Sequence, residues 1–394
     1  MSRLEELIQE LCPNGVEFLS IEKVIFSLNT GLNPRKFFRL NTDDAMNYYV
    51  TIREIHNNKI EFSDTTDRIN DEALRLCNNR SNLEIGDVIF SGTGTIGETA
   101  LITETPRNWN IKEGVYVIKP NPKRIISRFL MYLLQSNSIR VAYMKKVSGG
   151  TVKSIPMKEL RKIIIPVPPL EVQREIVRIL DHFTELTTEL TTELTARKKQ
   201  YEYYRNQLLT FSDDIKCARL GDTCYMKAGK ALSARLINDK PENENPFPCY
   251  GGNGIRGYVN RESHHGEFPI IGRQGALCGN VNYARGNFYA TEHAIVVESK
   301  GNYLQRFLYY LLTSMNINQY KSKGAQPGLA VKTIENLLAP LPPLEEQQRI
   351  VDILDRFDTL CNDLTAGLPA EIEARQKQYE YYRDKLLTFE PLAD

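Results

Sequence analysis

The sequence predicts a mixed α/β (α+β) fold in which two globular units are separated by a long antiparallel two-helix coiled coil. Three observations favour this fold. A segment in the middle of the 394-residue chain returns at its end, each copy follows a long dissimilar segment, and each copy has the apolar periodicity of a helix. Two different units held by one shared scaffold account for this alternation.

The two repeated segments are too long and too similar to match by chance. Residues 168–183 return as residues 342–357 with 11 of 16 positions identical, and residues 197–211 return as residues 375–389 with 12 of 15 identical. The segments before the two copies share only scattered positions. We therefore divide the chain into a first unit, a first repeated helix, a second unit and a second repeated helix, at residues 1–165, 166–211, 212–339 and 340–394.

Within the first unit, a short helix over residues 4–11 is expected to pack near the closing end of the second repeated helix. The glycines Gly92, Gly94 and Gly97 follow an apolar run and match the GxGxxG dinucleotide motif, but that motif requires a helix next. Another short strand follows instead, so a tight hairpin is the better interpretation. Residues 270–281 predict the same hairpin in the second unit.

The related segments 129–135 and 307–313 share the pattern Phe-Leu-x-Tyr-Leu-Leu and predict one helix in each unit. Each repeated segment predicts a much longer helix, because apolar or long side chains recur in steps of three or four. Forty-odd residues at ~1.5 Å each give a rod of roughly 60 Å. We expect the two rods to pair antiparallel, with helices that only cap their own units as the alternative.

Two details interrupt the regular helix pattern. In the second copy, Gly367-Leu368-Pro369 predicts a kink or a short break, because proline removes a backbone hydrogen bond. In the first copy, a tandem Glu-Leu-Thr repeat starts at Glu185, Glu189 and Glu193. Threonine is a mediocre helix former, so a spacer that adds ~6 Å per repeat explains it better than helix propensity.

Composition excludes several classes of protein. The 41% hydrophobic and 25% charged residues are typical of a globular protein. No secretory signal and no apolar run near the ~18 residues of a membrane span is present, so we expect a cytoplasmic protein without a membrane partner. The seven cysteines and five histidines lack zinc-ligand spacing, which argues against a disulfide or a metal site.

The net charge of +1 conceals an uneven distribution. Residues 114–158 contain no acidic residue and nine lysines and arginines, and no acidic residue lies between Glu298 and Glu335. A polyanion is the natural partner of such stretches, because phosphates neutralised by Lys or Arg release counterions. One stretch alone is equally compatible with a solvated face. Two at equivalent places favour nucleic acid.

Taken together, these features resemble the specificity subunit of type I restriction-modification enzymes. The resemblance covers the whole chain and rests on Pro-Pro-Leu-Glu with Gln173 or Gln347 opening each long helix, on Lys-Gln-Tyr-Glu-Tyr-Tyr-Arg closing each, and on the tandem spacer. It implies two target recognition domains that each read one half of a split double-stranded DNA sequence. It also implies two methylation (M) subunits docked on the coiled coil, with restriction (R) subunits as further partners.

The search for catalytic motifs agrees with this resemblance. The sequence has no GxxxxGK[ST] P-loop and no Asn-Pro-Pro-Tyr or Asp-Pro-Pro-Tyr tetrapeptide. We therefore expect a non-catalytic chain without cofactors, with S-adenosylmethionine, ATP and Mg bound by partner subunits. The alternatives are a coiled-coil adaptor without sequence-specific DNA binding, and a stand-alone DNA methyltransferase or nuclease.

Candidate DNA contacts lie in glycine-rich polar loops, because Asn and Gln can pair with adenine, Arg with guanine, and Lys with phosphates. Simple turn chemistry is the alternative. The candidates are Thr93, Thr95, Lys145, Lys146, Ser148, Thr151 and Lys153 in the first unit, and Lys227, Lys230, Tyr250, Asn253, Arg256, Arg273, Gln274, Lys321, Lys323, Gln326 and Lys332 in the second. The candidate partner-binding residues are Gln173, Gln347, Tyr201, Tyr204, Tyr379 and Tyr382.

Overall fold

The computed structural model describes residues 3–275, 277–322, 327–363 and 366–392. The chain folds into two compact units, and each contains a part of both repeated helical segments. Unit 1 comprises Met1–Glu189 and Ile372–Asp394, and unit 2 comprises Leu190–Glu371. Strands and helices are mixed in both, which confirms the predicted fold class.

Unit 1 contains the N-terminal helix, eleven short strands and the start of the first long helix within its described residues. In chain order the elements are α1 (Arg3–Leu11), β1 (Glu17–Ser20), β2 (Ile25–Thr30), α2 (Pro34–Phe37), β3 (Asn47–Val50), β4 (Ile55–His56), β5 (Lys59–Ile60), β6 (Arg68–Ile69), α3 (Asp71–Ser81), β7 (Val88–Ser91), β8 (Thr99–Leu101), β9 (Trp109–Ile111), β10 (Val115–Pro120), α4 (Ser127–Gln135), α5 (Asn137–Met144), α6 (Met157–Arg161), β11 (Ile164–Val167) and α7 (Leu170–Leu208).

The central sheet of unit 1 has the strand order β2-β10-β7-β8, and a second sheet has the order β6-β3-β9. Side chains of β7 alternate between two apolar cores, as the period of a strand requires. Val88 and Phe90 pack with helices α4 and α5, and Ile89 packs with Trp109 on the other face. The sheet is therefore buried on both faces, which explains its uninterrupted apolar sequence.

Unit 2 has the same plan with longer strands. Its elements are β12 (Cys217–Arg219), α8 (Leu220–Thr223), β13 (Cys224–Ala228), β14 (Phe247–Gly251), β15 (Gly254–Val259), β16 (His264–Gly272), β17 (Val281–Ala290), β18 (Ala294–Ser299), α9 (Gln305–Ser314), α10 (Val331–Glu335), β19 (Leu338–Pro340), α11 (Leu344–Asn362) and α12 (Leu368–Leu386). Its main sheet has the order β13-β18-β16-β17-β14-β15, and the first four strands follow the order of the central sheet in unit 1.

The two predicted hairpins and both short predicted helices are confirmed. Strand β7 pairs antiparallel with β8, and β16 pairs antiparallel with β17. Helices α4 and α9 cover residues 129–135 and 307–313. The second repeated segment is interrupted as predicted, because α11 ends at Asn362 and α12 begins at Leu368.

Helix α1 packs as predicted against the closing end of the second repeated segment. Leu4 of α1 lies in the same core as Leu387, and Leu7 packs against that core beside Leu386. The following turn is fixed by a hydrogen bond from the Val16 amide to the carbonyl of Glu390, 2.9 Å long.

In each unit, the long helix α7 pairs antiparallel with a helix of the second repeat. In unit 1 the ring of Phe183 stacks on Tyr382 of α12, with centroids 5.5 Å apart. In unit 2 the ring of Tyr204 stacks on Phe357 of α11 at 5.7 Å, and Leu208 lies in the same groove as Ile353. Contacts that advance along α7 recede along its partner, which confirms the antiparallel pairing.

The tandem Glu-Leu-Thr segment is part of helix α7. Threonine hydroxyls along the helix donate to carbonyls four residues earlier, as Thr187 does to Phe183 at 2.9 Å and Thr195 does to Thr191 at 3.0 Å. Such back-bonding gives the hydroxyl a partner within the helix itself.

Candidate nucleic-acid interface

In unit 1 the turn between β7 and β8 is tied to the basic loop that precedes α6. The amide of Gly94 donates to the carbonyl of Lys153, and the amide of Ile155 donates to the carbonyl of Gly92, both at 2.9 Å. Gly94 has φ +82°, a backbone conformation that favours glycine. Turn and loop therefore form one continuous surface.

Unit 2 repeats these two hydrogen bonds with different residues. The amide of Gly275 donates to the carbonyl of Pro327 at 3.1 Å, and the amide of Leu329 donates to the carbonyl of Arg273 at 2.9 Å. Gly275 also has a positive φ, +95°. The matching bonds make Arg273 the counterpart of Gly92, and Gln274 the counterpart of Thr93.

In both units a third loop is hydrogen bonded to the turn. The Gly92 amide donates to the carbonyl of Gly114 at 2.8 Å, and the Arg273 amide donates to the carbonyl of His293 at 2.7 Å. Glu292, which precedes His293, is thus the counterpart of Glu113. We call these three tied loops the hairpin frame of each unit. It comprises residues 91–97, 112–115 and 148–155 in unit 1, and the described residues 272–275, 277–279, 291–294, 322 and 327–329 in unit 2.

Beside each hairpin frame lies a glycine whose surroundings leave no room for a side chain. A Cβ on Gly31 would lie 1.7 Å from the carbonyl oxygen of Ile111, and a Cβ on Gly229 would lie 2.0 Å from that of Ala290. Only the close backbone approach that glycine permits allows strands β2 and β13 to end here.

The structure brings most of the sequence-predicted residues of unit 1 to this frame. Thr93 forms a β-bridge with Ser154, and Thr95 is exposed in the same turn. Lys145 and Lys146 follow helix α5 at the entrance to the basic loop. The remaining exposed candidates of that loop are Ser148, Thr151 and Lys153.

In unit 2 the predicted segment after β14 also lies against the frame. A Cβ on Gly252 would lie 2.5 Å from the carbonyl oxygen of Gln274, and the side-chain amide of Asn280 donates to Asn253 Oδ1 at 3.3 Å. Gln274 and Asn253 are exposed and Arg273 is half-buried. Four further candidates are exposed, namely Lys227, Lys230, Arg256 and Lys321.

Lys332 is exposed on helix α10, and no contact within the described residues links it to the hairpin frame of unit 2. Lys323 and Gln326 lie outside the described residues.

Tyr250 is a correction to the sequence prediction. Its side chain is only 6% exposed, and its ring packs edge-on against Phe288 with centroids 5.5 Å apart. Its position on β14 turns the side chain into the core, so Tyr250 packs beneath the frame and has little exposed surface to offer to DNA.

The sequence reasoning missed several polar residues at the frame of unit 2. Thr291 hydrogen bonds the carbonyl of Tyr250 with its amide and with its hydroxyl, both at 3.0 Å, and so holds the loop that carries Glu292 and His293. Asn282 Oδ1 would lie 2.9 Å from a Cβ on Gly254. The only available signal was the polar Thr-Glu-His run between two apolar strands.

Part of the positive charge in the basic stretches is used inside the units. Arg306 forms ion pairs with Asp355 at 2.6 Å and Asp358 at 2.7 Å, and its side chain is only 14% exposed. In unit 1, Arg128 pairs with Asp181 at 2.7 Å. These arginines join the helix of each unit to its long helix, so their charge is already paired with carboxylates inside the unit.

Gln173 and Gln347 are a second correction, because both are fully buried. Gln173 Oε1 accepts the amide of Ile126 at 2.9 Å, and its Nε2 donates to the carbonyls of Arg124 and Pro168. A side chain without exposed surface has nothing to offer to a partner protein. We call this arrangement the glutamine clamp, since it joins the start of α7 to the start of α4.

Gln347 forms the same clamp in unit 2. Its Oε1 accepts the amide of Leu304 at 2.9 Å, and its Nε2 donates to the carbonyls of Asn302 and Pro342. All three hydrogen bonds have counterparts in unit 1. The Pro-Pro-Leu-Glu-x-Gln signature therefore encodes an internal junction.

The four predicted tyrosines divide into two kinds. Tyr201 and Tyr379 are half-buried in their units, and burial raises the pKa of Tyr379 to about 12. Tyr204 and Tyr382 are more exposed, at 38% and 36%. An apolar groove of about 570 Å³ in unit 2 has Tyr204 in its lining, with Gln200, Gln207, Leu208, Ile353 and Phe357.

The most exposed aromatic residues of the repeated helices were not among the predicted sites. Tyr203 and Tyr381 are each 63% exposed, and each packs edge-on against the following tyrosine. The repeated Tyr-Tyr pair was visible in the sequence, but only the helix rotation in the structure shows which ring faces outward.

Neither a metal site nor a membrane helix is found in the described part of the chain. No cluster of three or more His, Cys, Asp or Glu side chains could hold an ion there. None of its helices combines the length and apolar character that crossing a membrane requires.

Comparison with known proteins gives consistent matches over nearly the whole chain. The family described as "Type I restriction modification DNA specificity domain" matches residues 13–198 and 212–374. The chain is 40% identical over 383 residues to the EcoprrI type I restriction enzyme specificity subunit of Escherichia coli, covering 93% of this chain and 92% of that protein. It is 31% identical to a putative type I specificity subunit of Haemophilus influenzae, over 81% of this chain and 94% of the relative.

Two solved structures share the fold. One is the S subunit of a type I restriction-modification system from M. genitalium, with TM-score 0.58 and 17% identity over 95% of this chain and 96% of that one. The other comes from a study of assembly and conformational transition of the type I restriction-modification system, with TM-score 0.60 and 20% identity over 95% and 98%.

Proposed function

The chain belongs to the family of type I restriction modification DNA specificity proteins, and we propose that it is the non-catalytic subunit that reads DNA for such a complex. Each of its two matched regions supplies one hairpin frame. In this proposal each frame reads one half of a split double-stranded sequence, and the chemistry belongs to partner subunits that bind S-adenosylmethionine, ATP and Mg.

The observation that carries the proposal is the conservation of the frame between units whose side chains differ. The same backbone hydrogen bonds hold Gly92 and Thr93 in unit 1, and Arg273 and Gln274 in unit 2. A constant backbone that presents variable polar side chains suits the reading of two different sequences, because base edges differ in their donors and acceptors.

The frames also carry the charge that DNA binding requires. Exposed lysines lie beside both turns, at Lys145, Lys146 and Lys153 in unit 1, and at Lys227 and Lys230 in unit 2. Phosphate contacts of this kind position a protein on the duplex, and contacts to base edges then specify the sequence. We assign phosphate contacts to these lysines, and base contacts to Thr93, Thr95, Asn253, Arg273 and Gln274.

We further propose that residues 1–165 and 212–339 are the recognition domains and that the repeated helices set the spacer between the two half-sites. Two methylation subunits would dock on these helices through the exposed tyrosine pairs, Tyr203 with Tyr204 and Tyr381 with Tyr382. Large amphipathic aromatic side chains are enriched in protein interfaces, and these pairs recur in both repeats.

Co-expression of the chain with its methylation partners, followed by genome-wide mapping of methylated adenines, tests the proposal. We expect a motif of two specific halves around a fixed gap of unspecified bases. Deleting one Glu-Leu-Thr-Thr repeat from α7 should shorten that gap by about one or two base pairs, from ~6 Å of helix per repeat.

An assembled, active complex without a split motif would contradict the proposal. A complex that binds its partners but shows no sequence preference would favour the adaptor function instead.

A further inference from the structure

The hairpin frames carry an acidic residue at one equivalent position, and the two carboxylates have different surroundings. In unit 1, the side-chain amide of Asn33 donates to Glu113 Oε2 at 2.7 Å. In unit 2, Glu292 Oε1 lies 3.2 Å from Nε2 of His293, and Oε2 has no donor among the described residues. Each carboxylate thus has a partner at one oxygen, and in Glu292 the other oxygen is buried without a donor among the described residues.

A carboxylate is an unusual group for a surface that meets phosphates. Lys230 and Arg256 are exposed near the frame, and a negative charge among them weakens the attraction to DNA. An ionised carboxylate accepts hydrogen bonds and donates none, so Glu292 requires a donor. Oε2 itself is buried in this structure, but the side chain as a whole is 38% exposed, so a rotation of the side chain would turn Oε2 outward to a ligand.

A guanidinium lies close to the loop that carries this carboxylate. A Cβ on Gly251 would lie 3.7 Å from Cδ of Arg256 and 3.9 Å from Oγ1 of Thr291, the residue before Glu292. The charges of Arg256 and Glu292 also both act on the thiol of Cys249, whose pKa burial raises. The acceptor and the bidentate donor are therefore carried by neighbouring segments of the chain, on either side of Gly251.

This pair of groups matches one kind of base pair. In the major groove a G·C pair presents the N4 amino donor of cytosine beside the O6 and N7 acceptors of guanine. A carboxylate accepts from the cytosine amino group, and a guanidinium donates to both guanine acceptors. An A·T pair offers no pair of guanine-type acceptors to the arginine.

We propose that Glu292 is a specificity-determining residue of unit 2 that accepts a hydrogen bond from a cytosine amino group, while Arg256 contacts the guanine paired with it. This inference rests on the proposed function and adds the identity of one recognised base pair. His293 holds the carboxylate through Oε1, and Thr291 fixes the loop. We assign no such reading to Glu113 in unit 1, where Asn33 already donates to Oε2 of the equivalent carboxylate.

The test measures methylation by variants of this chain assembled with the methylation subunits. The substrates are the mapped wild-type target and a set of duplexes in which each base pair of the second half is replaced in turn. For Glu292→Ala we expect the preference at one G·C pair to fall roughly ten- to a hundredfold, the range for one good base contact. Glu292→Gln, which keeps the size of the side chain, should move that preference towards A·T, because an amide pairs with adenine.

Two controls accompany these variants. Glu244→Ala removes an exposed carboxylate from a loop outside the frame and should leave target and rate unchanged. Glu113→Ala should leave every preference in the second half unchanged.

Several results would overturn the inference. They are a second half without a fixed G·C pair, a Glu292→Gln variant with wild-type preference and rate, and a Glu292→Ala variant that slows methylation of all sequences equally. A wild-type complex without a split motif would overturn the proposed function itself, and that failure is visible before any variant is compared.

Discussion

Units 1 and 2 carry different residues at the same position of their hairpin turns, Gly92 and Arg273. A side chain on the neighbouring strand determines which residue fits there. A Cβ on Gly92 would lie 2.2 Å from the ring of Tyr116, whose hydroxyl donates to the carbonyl of Ile155 at 2.6 Å. The strand register puts Ile295 at the position of Tyr116 in unit 2, where the turn carries Arg273. A buried side chain of the sheet thus sets which residues the reading surface can hold.

We expect the largest loss of stability at the two glycines beside the frames, Gly31 and Gly229, because neither position has room for a side chain. Gly31→Ala and Gly229→Ala would each force a Cβ against a backbone carbonyl, and we expect each to destabilise its unit by about 4 kcal/mol. Urea unfolding of unit 1 can be followed by fluorescence of Trp109, the single tryptophan of the chain. Hydrogen exchange measured by mass spectrometry reports unit 2.

Gly150→Ala is the matched control, because no atom outside its immediate neighbours lies within 4 Å of the added Cβ. Equal stability of Gly31→Ala and Gly150→Ala would contradict the close approach of β2 to β9.

The contrast between Gly92 and Arg273 predicts a specific coupling. Gly92→Ala should cost about 3 kcal/mol by forcing the ring of Tyr116 to move. In a Tyr116→Ile background the added cost of Gly92→Ala should fall below about 1 kcal/mol, because the smaller side chain copies unit 2. A double-mutant cycle on urea unfolding measures this, and additive costs would show that the ring is not the obstacle.

The glutamine clamps should be equally important in both units. Gln173→Ala and Gln347→Ala each leave one amide and two carbonyls without their side-chain partner and empty a buried site, at a cost of about 3 kcal/mol. Gln348→Ala, an exposed neighbour, should cost less than about 0.5 kcal/mol. Thermal unfolding of the three variants gives the comparison, and a clamp variant as stable as Gln348→Ala would count against the internal role.

The helix-joining arginines should differ between the units. Arg306 has two carboxylate partners and is 14% exposed, whereas Arg128 has one partner and is 39% exposed. Burial lowers the pKa of Arg306, but its hydrogen bonds to Asp355 and Asp358 and the nearby negative charge together raise it above its usual value. We expect Arg306→Met to cost about 2 kcal/mol and Arg128→Met less than about 1 kcal/mol in urea unfolding. An equal loss of stability in Arg306→Met and Arg128→Met would contradict this expectation.

The smallest effect concerns alkaline pH and should be alike in both units. Burial raises the pKa of Cys77 and of Cys224 from 9.0 to about 11. The unfolded thiol loses its proton first, so stability present below pH 9 is lost as the pH rises towards 11. At pH 10 each thiol should cost about 1 kcal/mol, and Cys77→Ala or Cys224→Ala should unfold with a weaker pH dependence between 8 and 10. An unchanged pH dependence would contradict the burial.

Much of the fold could be predicted because its signals are local. The 3.6-residue period gave α4, α9 and the long helices, and Gly92 and Gly94 after an apolar run gave the hairpin. Burial of polar residues could not be predicted in this way. Gln173 hydrogen bonds a backbone group 47 residues earlier in the chain, and nothing in its own segment distinguishes it from an exposed glutamine.

The sequence indicated which loops form the candidate site, but not which residues of those loops take part in it. The equivalence of Glu113 and Glu292 is visible only through the matching backbone hydrogen bonds, because the sequences around them differ. Tyr250 looked like a loop aromatic, but the parallel pairing of β14 with β17 turns it into the core.

The repeated glutamine clamp also has a consequence for how such chains can diversify. Each of the three hydrogen bonds of Gln173 in unit 1 has a counterpart with Gln347 in unit 2. A foreign unit that carries an amide and a carbonyl at the start of the equivalent helix could form the same hydrogen bonds with the glutamine of the repeat. Recombination within the repeats can therefore exchange one unit as a cassette, and a new DNA address can arise in a single genetic step without a new joint having to evolve.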